Sequence, residues 1–149
     1  CQRHYQKLQE REAWTGMKIV IDTNVVISGT FFGGHPQSIL RAVVEGKVLA
    51  SATAEIVDEY MEITERMLQR GQGRIRKDIL FPFMEKLQLI EPHSDIHVSR
   101  DPDDDKFISC ANDAKALYIV SGDADLLVLG RYENIEIITA KEFCERYLQ

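Results

Sequence analysis

Lys18-Ile19-Val20-Ile21-Asp22-Thr23-Asn24 is the stretch on which the reading of the chain turns. Its first four residues make a short apolar run of the kind that fills a buried strand. The run ends on a carboxylate, which belongs in no core but suits the carboxyl end of a strand, where open α/β sheets bind their ligands. The pattern returns downstream, where Leu117-Tyr118-Ile119-Val120 leads into Ser121-Gly122-Asp123-Ala124-Asp125. Further strand patterns at 48–51, 87–90 and 135–139 alternate with helical ones. The helices are expected at 24–32, from Pro36 through Val44 with Gly46 as the stop, and from a Thr53 cap to about Arg70. More follow at 78–86, where Pro82 puts the helix in doubt, from Asp104 or Asp105 to Lys115, at 123–129 and at 141–148. Strands separated by helices of this length form βαβ units and a mainly parallel sheet.

The chain has 149 residues, enough for one domain with a substantial core. Residues 1–16 are polar, begin with Cys and precede Met17, so they read as an upstream extension, native or not, and function is placed in 17–149. That segment lacks the apolar core of a secretory leader, and no apolar run approaches the roughly 18 residues of a membrane span. The three cysteines (Cys1, Cys110 and Cys144) match no zinc or disulfide spacing. Cys110 and Cys144 fall in apolar helical stretches and are expected in the core, in a reducing cytoplasm. A net charge of −6 argues against electrostatic coating of DNA. It leaves room for a nucleic-acid enzyme whose acids hold a cation.

The acids divide by position. Asp22 and Asp123 each follow a strand, where each reads either as a helix cap or as a ligand. On the helix after Thr53, a turn of about 100° per residue groups Ile56, Val57, Tyr60, Met61, Ile63, Thr64, Met67 and Leu68 into one arc. Glu55, Asp58, Glu62 and Glu65 point away from that arc, and Glu59 lies at its edge. Arg66 and Arg70 share the flank of Glu59 and continue into Arg74, Arg76 and Lys77, a local basic run that can hold phosphates or simply form a solvated helix end. Asp101-Pro102-Asp103-Asp104-Asp105-Lys106-Phe107 holds more acid than a turn and a cap require, and a cation would relieve the repulsion. Oxygen ligands without His or Cys select Mg²⁺ or Mn²⁺ over zinc. Such a site can activate a water and steady the charge on a phosphodiester. His4, His35, His93 and His97 show no HExxH spacing, and no phosphate-binding Gly-rich loop or Ser nucleophile elbow is present. A phosphatase or phosphoacceptor with Asp22 as nucleophile fits poorly, because Asn24 stands where such a phosphatase wants a second Asp.

The four segments resemble the PIN domain, and in particular the toxin-like PIN proteins of toxin–antitoxin systems. They are Ile21-Asp22-Thr23-Asn24-Val25-Val26-Ile27-Ser28, Thr53-Ala54-Glu55-Ile56-Val57-Asp58-Glu59-Tyr60, the 101–107 run, and Val120-Ser121-Gly122-Asp123-Ala124-Asp125-Leu126-Leu127. The resemblance covers essentially Met17 to the C-terminus. It implies a three-layer α/β/α sandwich and a Mg²⁺- or Mn²⁺-dependent ribonuclease. The catalytic acids it implies are Asp22, Glu59, Asp104 and Asp123, with the metal held by Asp22, Asp104 and Asp123. Asp105 is the alternative to Asp104, less favoured because similar proteins often carry Asn there. Asn24, Ser121 and Asp125 are supporting residues. Homodimerisation and a cognate antitoxin are the implied partners beside RNA. The alternative is a PIN-like protein-binding module with little or no nuclease activity.

Overall fold

In the computed structural model, which describes residues 17–71 and 77–148 except the Lys77 side chain, Ile19, Val20 and Ile21 expose no surface. A strand sealed on both faces belongs inside a sheet, and β1 (Lys18–Ile21) lies within one of six strands. It pairs in parallel with β2 (Leu49–Ala52) on one side and β4 (Tyr118–Val120) on the other. β3 (Gln88–Leu89) continues the parallel sheet beyond β2, and β6 (Ile135–Ile138) beyond β4. Burial from both sides is what lets these segments read as apolar runs rather than as alternating ones. β5 (Arg131–Tyr132) closes the far edge antiparallel to β6.

The strand order is β3-β2-β1-β4-β6-β5. The chain therefore winds one way from β1 to β3, then crosses back to the other side of β1. Between β1 and β4 the winding reverses, and such a reversal opens a crevice outside the carboxyl ends of the two strands. The Asp22 amide donates to the Val120 carbonyl at 2.9 Å, which locks those two ends side by side.

Seven helices flank the sheet among the described residues. They are α1 (Thr23–Phe31), α2 (Gly34–Val44), α3 (Ala54–Gln69), α4 (Lys77–Lys86), α5 (Asp105–Ala114), α6 (Ala124–Leu129) and α7 (Ala140–Tyr147). α1 packs on α2, α3 and α4, while α2 also meets α4 and α7, so these five form one layer. α5 lies against β1, β2 and β4, and α6 against β6. Right-handed crossovers in opposite winding directions place these two on the opposite face. The result is the three-layer α/β/α sandwich. Gly29 permits the tight α1–α2 approach, since a Cβ there would come 2.7 Å from Leu40 Cδ1. Gly46, at φ 77°, ends α2 and lets the Lys47 amide return to the Ala42 carbonyl at 2.8 Å.

One local expectation holds and two change. The helix expected at 78–86 forms as α4 and runs through Pro82. Proline removes one backbone donor, but Ile79, Leu80 and Phe83 are buried beside it, and burying one such side chain is worth about 1.5–3 kcal/mol. α2 starts at Gly34, ahead of Pro36, whose missing N–H falls among the unpaired first-turn donors. β5 was not expected, because its two-residue turn is Glu133-Asn134, with Glu133 at φ 51°, rather than the usual glycine pair.

Tyr60, fully buried on α3, donates its phenolic O–H to the Ile21 carbonyl at the end of β1. It thereby fixes the strand end that presents Asp22. Tyr60→Phe leaves that carbonyl without its donor and should lower unfolding stability by about 1–2 kcal/mol in a denaturant titration.

Candidate functional site

Asp22 sits at the N-cap position of α1 but makes no side-chain cap bond. Its Oδ2 instead accepts the Ser121 hydroxyl at 2.7 Å, and Ser121 Oγ in turn accepts the Asp123 amide at 2.9 Å. One fully buried hydroxyl thus ties the acid after β1 to the loop after β4. Asp123 does act as a cap, its Oδ1 taking the Asp125 amide at 2.8 Å. Asn24 is exposed; the Ser121 hydroxyl holds Asp22, and the Thr23 hydroxyl holds Glu59.

The 101–105 run is divided by local geometry. Asp101 Oδ1 takes the Asp103 amide at 3.0 Å and starts a 3₁₀ turn over Pro102–Asp104. That turn rotates Asp104 and Asp105, both buried, in different directions. Asp105 Oδ1 accepts the amides of Val98 and Ser99 at 3.0 and 2.8 Å. Asp104 Oδ2 is buried with no hydrogen-bond partner.

The bonds of Asp105 belong to a longer pattern. Asp105, Ser109 and Asp113 stand at i, i+4 and i+8 on α5. Ser109 Oγ takes the Ile96 amide at 3.1 Å, and Asp113 Oδ2 takes those of His93 and Ser94 at 2.8 and 3.0 Å. A helix advances about 6 Å in four residues and an extended chain about 6.6 Å in two. The polar stripe of α5 therefore serves segment 93–99 as a pairing strand would, and leads it to Arg100 and Asp101. Burial opposes ionisation of Asp113, but the bonds from Ser94 and His93 prevail and hold its pKa below the usual value.

Glu59 is half-buried, whereas Glu55, Asp58, Glu62 and Glu65 on the same helix are exposed. Its Oε2 accepts the Thr23 hydroxyl, and its Oε1 lies 2.9 Å from Lys106 Nζ. Lys106 also donates to the Asp103 carbonyl at 2.7 Å. Burial would depress this ammonium, but its hydrogen bond and charge pairing with Glu59 raise its pKa on balance.

The acids sense one another. Burial raises the pKa of Asp22, the Ser121 hydroxyl opposes that shift, and the charges of Asp123 and Glu59 add to it. Asp104 is carried up to about 7 by burial first, then by Asp123, Asp22 and Asp101, against a smaller pull from Lys106. Asp101, Asp104 and Asp125 bring one carboxylate oxygen each within 4.8 Å of one another. One oxygen each of Asp22 and Asp123 is taken, by Ser121 and by the Asp125 amide, and neither acid is part of that trio. Asp101 was not singled out by residue type; the signal was Pro102 behind it, which makes Asp101 a turn cap facing the same crevice. Arg100 approaches Asp125 Oδ1 through Nε and Nη2, at 3.0 and 2.9 Å. A buried carboxylate oxygen without a donor, among further carboxylates, fits a hard divalent cation.

Of the expected phosphate-binding run, Arg66 is exposed and paired with Glu62 at 2.6 Å, and Arg70 is exposed at the end of α3. Arg74, Arg76 and the Lys77 side chain lie outside the described residues, as does the 1–16 extension. Among the described residues, no helix is long and apolar enough to cross a membrane.

A family model for the PIN domain matches residues 18–125. The chain is also similar to the uncharacterized protein MJ1680 of Methanocaldococcus jannaschii, at 35% identity over 145 residues, which span 88% of this chain and 92% of that protein.

The two adjacent acids should respond oppositely to substitution. With its pKa raised to about 7, Asp104 contributes stability that is complete below its unfolded value of 3.8 and is lost as pH rises through 7. In chelator, Asp104→Asn should gain on the unmodified protein by about 1–3 kcal/mol between pH 4 and pH 8. Asp105→Ala removes the acceptor for Val98 and Ser99 and should cost about 1–2 kcal/mol at neutral pH. Paired denaturation curves at the two pH values read both effects.

Proposed function

Since the chain belongs to the PIN domain family, a family of nucleases, we propose that the acids at the β1–β4 reversal form the centre of a Mg²⁺- or Mn²⁺-dependent endoribonuclease. The observation that carries this reading is the buried, donorless Oδ2 of Asp104 beside Asp22 and Asp123. Asp22, Asp104 and Asp123 would hold the cation, and Asp104 is favoured over Asp105 because both Asp105 bonds serve segment 98–99. When bound, the ion would acidify a water and offset charge on the phosphodiester.

The remaining residues have supporting tasks in this reading. Ser121 orients Asp22 and the Asp123 loop through its hydroxyl. Thr23 and Lys106 hold Glu59 at the rim of the site. Arg100 fixes Asp125 beside Asp101 and Asp104. Exposed Arg66 and Arg70 offer positive charge to the RNA backbone outside the acidic centre. The role of toxin in a toxin–antitoxin pair, with a protein antitoxin, a homodimeric state and a cytoplasmic setting, extends the reading through the resemblance of the four motifs.

The expected result is Mn²⁺-dependent cleavage of single-stranded RNA that is abolished by chelator. Asp22→Asn and Asp104→Asn should each slow it by about 10²-fold or more, with folding intact by circular dichroism. Cleavage by Asp22→Asn at the rate of the unmodified protein would sink the assignment.

A further inference from the structure

Both oxygens of Glu59 are engaged within the protein, Oε2 by the Thr23 hydroxyl and Oε1 by Lys106 at 2.9 Å. The lysine is no solvent-facing partner of convenience. Its side chain is only 14% exposed, and its Nζ is held a second time by the Asp103 carbonyl at 2.7 Å. Ordering a lysine side chain costs up to about 2 kcal/mol in rotamer entropy. Its position adds a further penalty, because Lys106 lies in the first turn of α5, directly after Asp105, where the helix dipole disfavours a cation. Helix stability therefore does not explain a lysine there, and the carboxylate of Glu59 does. The other described basic groups near this flank point elsewhere: Arg66 pairs with Glu62, and Arg100 with Asp125.

Nucleases that use two divalent ions set them roughly 3.5–4 Å apart, each neutralising part of the carboxylate charge. We propose that in this chain the Lys106 ammonium is the positive centre at Glu59, in place of a second divalent ion. Glu59 then recruits no metal, and the cation chemistry is confined to the side of the crevice lined by Asp22, Asp104 and Asp123. Lys106 is a positioning residue in this scheme: it fixes Glu59 and supplies charge without requiring metal at that corner. The proposal rests on the metal-dependent reading above, and its test separates the two.

The test counts Mn²⁺ bound per chain by electron paramagnetic resonance titration, without RNA, for the whole protein and three variants. Lys106→Met keeps the aliphatic stem but frees Glu59, and should bind one more ion than the unmodified chain. Lys106→Arg keeps the charge and should match the unmodified count. Glu59→Gln combined with Lys106→Met should return to it, which shows that the added ion sits at Glu59 and guards against misfolding as the cause. Equal, non-zero counts for the unmodified chain and Lys106→Met overturn the Lys106 assignment alone. No bound Mn²⁺ in any of the four chains overturns both it and the metal-dependent reading.

Discussion

Carboxylates crowded at the end of two parallel strands repel, and the surrounding structure is organised around keeping them there. The sheet order forces the crowding: β1 and β4 are neighbours at the reversal of winding, so Asp22 and the Ser121–Asp125 loop meet whatever their charge. The repulsion is visible in the raised pKa values of Asp22 and Asp104, where burial and neighbouring acids act in the same direction. It is contained by neutral donors and by one half-buried lysine. The Ser121 hydroxyl partly offsets the burial of Asp22, and Lys106 takes the charge of Glu59.

Containment divides the acids by what their oxygens meet. Asp105 and Asp113 brace segment 93–99 through its backbone amides, while Asp101 and Asp123 each give one oxygen to a turn or cap. Asp104 keeps a buried oxygen for which the protein offers no donor. That difference, more than acidity as such, separates an acid suited to bind from one suited to brace.

Much of this was legible in the residues. The apolar runs around Ile19 and Ile119 are continuous because both faces of those strands are covered, and their alternation with helices placed them inside a parallel sheet. The edge position of Glu59 on α3 followed from helical geometry, since the turn per residue is fixed. What escaped was tertiary or sterically tolerant. β5 turns through Glu133, a residue that carries no turn signal. The roles of Asp104 and Asp105 could not be separated by composition, because a 3₁₀ turn sends two identical side chains in different directions. Nothing in the spelling of Lys106 announced Glu59, far upstream in the chain, as its partner; that pairing needs α3 and α5 in contact.

The stripe of Asp105, Ser109 and Asp113 turns α5 into a ruler. Because its three acceptors meet amides at fixed positions of segment 93–99, the number of residues in that segment is set by the pitch of the helix. An inserted or deleted residue there cannot be absorbed as slack, as it would be in most surface connections. It would shift Arg100 and Asp101 by one side-chain alternation and take their heads away from Asp125 and the turn at Asp103. A stretch without regular secondary structure thus has its length under the same geometric control as a strand, and drift in its length is closed to this chain even where drift in its side chains is not.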